Sequence, residues 1–268
     1  MKPLLIEQLR EQPDDFRRRS ITREFLQARI LLSLQDHGAF SNWAFVGGTA
    51  LRFLYNLPRY SEDLDFSLVD PGGEARFEKL MRALRQDLLA EAYAVEIKIR
   101  TNRAVASAMV KFCGLLHEVG LSPLPDETLS VKVEIDTNPP PGAGTATKAV
   151  RRYFLLNLQQ YDAASLLSGK LHAILSRPYT KGRDLYDLAW YLADPGWPEP
   201  NLPLLVGALR QTGWTGEKPT ALSWRRIVAE KLKTLDWRAA LKDVSPFLER
   251  PEDAAWVTPE RLGQLLKG

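Results

Sequence analysis

Residues 45–68 of this 268-residue chain read FVGGTALRFLYNLPRYSEDLDFSL, and they decide the fold of its first half. An apolar strand is predicted from Trp43 to Val46, and the pair Gly47–Gly48 then turns the chain. A helix is predicted from Thr49 to Asn56, and a second strand follows from Leu64 to Val69. This strand–turn–helix–strand order predicts a sheet with a helix packed on it.

The pattern outside this stretch divides the chain into two halves. In the first half, alternation and helical spacing predict three more strands and two more helices: Val95–Arg100, Val105–Phe112, Val131–Asp136, Arg23–His37 and Glu74–Ala92. The segment NPPPGAG at 138–144 is predicted to be a loop or an interdomain hinge. After Arg151 the pattern is almost entirely helical: Asp162–Ser176, Arg183–Leu192, Leu202–Arg210, Trp224–Leu235 and Trp237–Leu248.

We therefore predict an α+β (mixed α/β) fold with two domains. Residues 1–147 are expected to form a small mixed β-sheet core with flanking helices. Residues 148–268 are expected to form an all-helical half.

The composition is typical of a globular protein, with 45% hydrophobic and 26% charged residues. No apolar run approaches the roughly 20 residues that span a bilayer, and the first residues lack the pattern of a signal peptide. The single cysteine excludes an intrachain disulfide. These features predict a cytoplasmic protein with no membrane partner. The net charge of +3 is too small to indicate a nucleic-acid partner by itself.

Asp63 and Asp65 are the first candidate functional residues. Residues two apart on a strand point to the same face, so both carboxylates are expected to project together. Such a pair repels itself unless a cation lies between the two groups, and oxygen ligands of this kind suit Mg²⁺. The alternative is a solvated strand end without chemistry.

The glycine turn adds a candidate phosphate site. Gly47 and Gly48 would let the backbone approach a ligand, and the amides of the following helix would attract a phosphate. Thr49 is expected either to cap that helix or to donate its hydroxyl to a phosphate oxygen. Arg59 is a candidate for the same phosphate, and Ser61 could either bond that phosphate or orient Asp63. A plain turn and ordinary loop contacts are the alternatives, and the motif is neither a Walker A loop nor a dinucleotide fingerprint.

A third carboxylate is predicted on the strand 131–136. Lys132, Glu134 and Asp136 share one face of that strand, and either acid could be a metal ligand or the base that deprotonates a hydroxyl. A wet edge strand is the alternative interpretation.

Taken together, these motifs resemble a known family. The stretches Phe45–Leu51 and Arg59–Phe66 are similar to the signature of the bacterial AbiEii/AbiGii-type toxin nucleotidyltransferases, which belong to the DNA polymerase β-like superfamily. The stretches 168–177 and 181–188 resemble its downstream lysine and Arg-Asp-x-x-Asp motifs. Lys132-Val-Glu134 resembles its Lys-x-Asp motif, with Glu in place of Asp. This departure leaves the third metal ligand open between Glu134 and Asp136.

The resemblance implies an activity and a set of functional residues. It implies a Mg²⁺-dependent enzyme, with Mn²⁺ as the alternative ion, that transfers a nucleoside monophosphate from a nucleoside triphosphate, preferably a pyrimidine one, to an acceptor hydroxyl. The implied acceptor is the 3′ end of tRNA, and the implied partner is an antitoxin protein. Lys170 and Asp184 would belong to the catalytic cleft, where the lysine offsets charge on the leaving pyrophosphate and Asp184 positions that lysine or a metal-bound water. The structural alternatives are a lysine that extends to solvent and an acid favoured by the helix dipole. The rival hypothesis is a catalytically inactive member that binds a nucleotide or a protein.

Overall fold

A mixed sheet organises the computed structural model, which describes residues 2–12, 14–101, 104–179 and 181–267. Residues 1 and 268, where the two predicted domains begin and end, are not among the described residues. The strands of the described chain are β1 (Trp43–Val46), β2 (Leu64–Leu68), β3 (Val95–Arg100), β4 (Val105–Cys113), β5 (Thr128–Asp136), β6 (Thr145–Arg152) and β7 (Phe154–Tyr161). They lie in the order β3-β4-β5-β2-β1-β7-β6.

Helices precede, interrupt and follow the strands. They are α1 (Lys2–Arg10), α2 (Asp15–Asp36), α3 (Gly47–Tyr55), α4 (Phe77–Ala90), α5 (Leu115–Glu118), α6 (Ala163–Ser176), α7 (Gly182–Ala193), α8 (Leu202–Gln211), α9 (Trp224–Leu232), α10 (Trp237–Val244) and α11 (Pro259–Leu265). Short 3₁₀ turns cover Ala39–Ser41, Ser245–Phe247 and Pro251–Trp256. The α+β class with a mixed sheet, predicted above, is confirmed.

By its internal contacts the chain divides into two compact units. The first unit contains Met1–Leu54, Tyr60–Asn138 and Thr147–Gln160. The second unit contains Tyr55–Arg59, Pro139–Ala146 and Tyr161–Gly268. The predicted domain limits at 147 and 148 stay a prediction.

The core of the first unit lies under one face of the sheet. β1 pairs antiparallel with β2, and β2 pairs parallel with β5. Alternation buries Val131, Val133 and Ile135 on β5, and α2 and α4 contact this sheet and each other. Phe45 and Phe66 stack with ring centroids 5.3 Å apart, which joins the first two strands. The other face of β2 and β5 is left for polar side chains.

The second unit is built around α6 and α7. These two helices contact each other, and α8, α9, α10 and α11 pack around them. Gly182 allows α7 to approach α10 closely, because a Cβ at this position would lie only 1.8 Å from the carbonyl oxygen of Ala240.

Several elements differ from the prediction. The helices α1, α5 and α11 were not predicted, and α2 begins at Asp15 rather than at Arg23. The strands β6 and β7 were not predicted, and β7 pairs parallel with β1 through Phe45 and Gln160. The helix α4 begins at Phe77 rather than at Glu74, after Arg76 in a left-handed conformation with φ 50°. Among the described residues, no helix is both long enough and apolar enough to cross a membrane.

Candidate active site

Gly47 turns the chain from β1 into α3 beside one of the predicted metal ligands. Its φ is +78°, a conformation that residues with a side chain rarely adopt. A Cβ at this position would lie 2.6 Å from Oδ2 of Asp65, because Asp65 is the β2 partner of Val46. The glycine is therefore required both by the turn and by the carboxylate that packs against it.

Thr49 holds Asp63, the other predicted metal ligand of this stretch, through a hydrogen bond to its backbone. Its side chain is fully buried, and its hydroxyl donates a hydrogen bond to the carbonyl oxygen of Asp63. The prediction that Thr49 caps α3 is wrong, because the helix begins two residues earlier, at Gly47. The hydroxyl fixes the start of β2 against α3, and direct contact of Thr49 with a phosphate stays a prediction.

The strand register decides which acid of β5 lies beside the Asp-x-Asp pair. Asp65 and Glu134 are Cα partners on neighbouring parallel strands, so their side chains leave the same face of the sheet. Asp136 is instead the partner of Ser67, one pleat further along. Its Oδ1 accepts a hydrogen bond of 2.9 Å from the backbone N–H of Asn138. Asp65 and Glu134 therefore form the closest carboxylate neighbours of the two strands.

Lys132 brings a positive charge into this group of acids. Its Nζ lies 2.7 Å from Oε1 of Glu134, and it also interacts electrostatically with Asp63 and Asp65. Burial opposes the charge on Lys132, but the neighbouring carboxylates outweigh burial and raise its pKa. The sequence showed Lys132 and Glu134 two positions apart on a strand, which was the signal for this pair, but no role was assigned to the lysine.

The acids of this face form an oxygen-only donor set. Asp63, Asp65 and Glu134 offer carboxylate ligands of the kind that Mg²⁺ takes together with water and phosphate oxygens, so the residues present fit such an ion. Within the described ranges, however, no three or more Asp, Glu, His or Cys side chains are gathered as a metal-binding group. Glu134 is paired with the lysine instead, and the metal role of these three residues stays a prediction.

Ser61 precedes the Asp-x-Asp pair and is held from α2. Its carbonyl oxygen accepts a hydrogen bond of 3.0 Å from Nε2 of the buried Gln27. This contact fixes the backbone of the loop and uses no atom of the serine side chain. Binding of a phosphate by the hydroxyl stays a prediction.

A second cluster of charges lies inside the second unit. Asp184 and Asp187 are three residues apart on α7, so they share a face of that helix, as the sequence indicated. Lys170 of α6 reaches both, with Nζ 2.9 Å from Oδ1 of Asp184 and 2.6 Å from Oδ2 of Asp187. Arg177 forms a further ion pair with Asp184.

Arg59 also belongs to this cluster. Its Nε and Nη2 each lie 2.6 Å from an oxygen of Asp187, which makes a bidentate pair. The arginine is 2% exposed and the Asp187 side chain is 0% exposed. In this arrangement the guanidinium neutralises a carboxylate of the chain itself, and its contact with a bound phosphate stays a prediction.

The cluster keeps its members charged despite their burial. Burial by itself would raise the pKa values of Asp184 and Asp187, but the neighbouring cations lower both. Burial likewise opposes the charge on Lys170, and the two aspartates raise its pKa. At neutral pH Lys170 is therefore a fixed ammonium group held by two carboxylates.

Comparisons with known proteins agree with the resemblance noted from the motifs. The model of the family described as "Nucleotidyl transferase AbiEii toxin, Type IV TA system" matches residues 29–259. No curated protein sequence matches the chain.

Three solved structures share the fold. MenT4, a nucleotidyltransferase toxin from Mycobacterium tuberculosis, is 17% identical with a TM-score of 0.55, over 100% of this chain and 89% of that one. A putative nucleotidyltransferase from H. pylori is 18% identical with a TM-score of 0.56, over 92% and 95%. JHP933 from Helicobacter pylori is 18% identical with a TM-score of 0.54, over 92% of each chain.

Proposed function

Because the chain belongs to the AbiEii family of nucleotidyltransferase toxins, we propose that it transfers a nucleoside monophosphate to the 3′ end of tRNA. The donor is a nucleoside triphosphate, with a pyrimidine nucleotide preferred, and the protein acts as the toxin of a toxin–antitoxin pair. The observation that carries the proposal is the register of β2 and β5, which pairs Asp65 with Glu134 directly beside the turn at Gly47. Carboxylates next to a glycine turn suit a phosphate bound together with a cation.

Mg²⁺ is the proposed cofactor, and Mn²⁺ is expected to replace it. Asp63, Asp65 and Glu134 would hold the ion, which would supply positive charge against the phosphate oxygens. Glu134 is chosen over Asp136 as the third ligand because it is the direct neighbour of Asp65. Asp136 is engaged with the backbone at the end of its strand.

The chain's own residues have separate tasks in the proposed reaction. The acceptor hydroxyl oxygen forms a bond with the α-phosphorus, and the bond from that phosphorus to the pyrophosphate oxygen breaks. A carboxylate of the β2–β5 face takes the hydroxyl proton. The Thr49 hydroxyl positions Asp63, and Gly47 leaves room for Asp65.

Lys170 and Asp184 are proposed to serve the same reaction. The lysine would offset negative charge on the leaving pyrophosphate, and Asp184 would position the lysine. Their 2.9 Å ion pair supports the second part of this assignment. The proposed partners are the nucleoside triphosphate, tRNA and a cognate antitoxin, and the proposed location is the cytoplasm, where these substrates are found.

A transfer assay tests the proposal. Purified protein, Mg²⁺ and total tRNA are incubated with each of the four α-labelled nucleoside triphosphates in turn. Label is expected on tRNA from CTP or UTP. Asp63→Ala and Asp65→Ala should abolish it, and Glu96→Ala, which changes an exposed acid of β3, should not. Absence of transfer from all four nucleotides to RNA, protein or the enzyme itself would refute the activity.

The rival hypothesis, an inactive binding member, has its own test. Glu134 in place of the family's Asp is the observation that favours it. Cells that express the wild type are compared with cells that express Asp63→Ala. Equal growth of the two strains, whether healthy or arrested, would support the binding role and contradict a catalytic toxin.

A further inference from the structure

The ammonium group of Lys132 lies among the candidate metal ligands Asp63, Asp65 and Glu134. Lys132 and Glu134 are two residues apart on β5, so both side chains leave the same face of the sheet. Their charged atoms are 2.7 Å apart, and the lysine also interacts electrostatically with Asp63 and Asp65. One ammonium group therefore interacts with three carboxylates.

This arrangement sets a condition for binding a divalent cation. Oε1 of Glu134 is already paired with the ammonium, and a cation that uses this oxygen must take it from the lysine. The Lys132 side chain is 38% exposed and ends four single bonds from its Cβ, so it can turn toward solvent without unfolding the strand. Two cations at one oxygen would also repel each other.

We propose that the ammonium group of Lys132 competes with the metal ion for Glu134. The ammonium group occupies the place beside Glu134 until a divalent ion displaces it. The inference rests on the proposed metal role of Asp63, Asp65 and Glu134. Without the divalent ion, the ammonium limits repulsion among these acids. With the ion bound, the released ammonium is free to pair with a phosphate oxygen of the nucleotide.

The competition predicts that replacing Lys132 by a neutral residue increases the affinity for the metal ion. Removing a positive charge that pairs with a ligand should strengthen metal binding, whereas damage to the fold should weaken it. Because the Lys132 side chain is 38% exposed and the Glu134 side chain 28% exposed, the effect of their ion pair is modest. We expect Lys132→Met to lower the Kd for Mn²⁺ by about threefold to tenfold.

A matched control separates direct competition from general electrostatics. Lys98 lies on the same face of the sheet and in the same row, since it pairs with Met109 and Met109 pairs with Lys132. It is exposed, and no carboxylate among the described residues forms an ion pair with it. Two strand spacings, about 10 Å, separate it from Lys132, which is about one Debye length at 0.1 M salt. Lys98→Met should therefore leave the Kd nearly unchanged.

The experiment is a titration of the full chain with Mn²⁺ and no nucleotide. Electron paramagnetic resonance measures free Mn²⁺, and calorimetry gives the same Kd independently. Tighter binding by Lys132→Met alone supports the inference. An unchanged or weaker affinity of Lys132→Met, equal strengthening by Lys98→Met, or no Mn²⁺ binding by any variant would overturn it.

A second measurement protects the result against a folding defect. The melting temperature of Lys132→Met should fall more than that of Lys98→Met without Mn²⁺, and saturating Mn²⁺ should raise it more. Neither measurement requires catalysis. If the transfer assay fails and the tighter binding is found, the proposed activity is wrong while the competition stands.

Discussion

Replacing Asp187 by asparagine removes the central negative charge of the cluster in the second unit. The Asp187 side chain is fully buried, receives two hydrogen bonds from Arg59 and pairs with Lys170 at 2.6 Å. Asparagine has nearly the same shape, so the substitution opens no cavity. It removes the negative charge that faces the buried guanidinium of Arg59 and leaves Asp184 as the carboxylate paired with Lys170.

The expected cost follows from the burial of these partners. Removing one member of a buried ion pair destabilises a protein by about 3–5 kcal/mol, because the remaining charge is left unpaired. The amide oxygen can still accept one hydrogen bond from Arg59, so we expect about 3 kcal/mol for Asp187→Asn. With a urea dependence of about 1–3 kcal/mol per M, the unfolding midpoint of the second unit should fall by about 1–3 M.

Urea unfolding followed by tryptophan fluorescence measures this change. Six of the seven tryptophans lie after residue 189, so the signal reports mainly on the second unit. Asp243→Asn is the matched control, because Asp243 is 30% exposed and lies 3.7 Å from Arg183. It should cost less than about 1 kcal/mol. Equal shifts for Asp187→Asn and Asp243→Asn would refute the view that Asp187 compensates a desolvated positive charge.

Three further predictions concern the other residues of the two clusters. Gly47→Ala should lower transfer activity at least tenfold and destabilise the chain by about 1–3 kcal/mol, since its Cβ would press on Asp65; unchanged kinetics and urea midpoint would contradict this. Glu134→Gln should reduce kcat by about 100-fold, whereas Asp136→Asn should reduce it less than fivefold, and the reverse order in a transfer assay would reassign the third ligand. Burial acts to raise the pKa of Asp184, but Lys170 and Arg177 lower it below its usual value. The ionised Asp184 therefore stabilises the fold above about pH 4, and this contribution is lost as the pH falls below that value. Urea midpoints measured from pH 7 to pH 2.5 should decline less steeply for Asp184→Asn than for the wild type.

The elements that the sequence predicted well are those decided by neighbours in the chain. The turn at Gly47 follows from the need for a positive φ between a strand and a helix. The strands β2 and β5 follow from alternation, which also predicted that Glu134 would share a face with Lys132. Such patterns need only two to four adjacent residues, so no tertiary information is required.

The strands that the sequence missed depend on tertiary contacts. β6 is an edge strand with mostly exposed side chains, so hydrophobic alternation is absent from TATKAVRR. β7 buries Leu156 and Leu158 and exposes Asn157 between them, so it shows the alternation typical of a strand. Its leucine at 155 is 70% exposed, and this apolar residue on the outer face obscures the alternation. Strand preference of such a segment comes from its place beside β1.

Arg59 shows why a motif does not determine the partner of each of its residues. It lies four positions before Asp63, which led to a predicted contact with phosphate, but its partner Asp187 is 128 positions further along the chain. The segment Tyr55–Arg59 belongs to the second unit, where Arg59 also forms a β-bridge with Leu248. An Arg59 variant therefore disturbs a buried ion pair before it disturbs any ligand, and Lys in its place keeps the charge while losing the bidentate geometry. Loss of activity in such a variant indicates phosphate binding only if its urea midpoint equals that of the wild type.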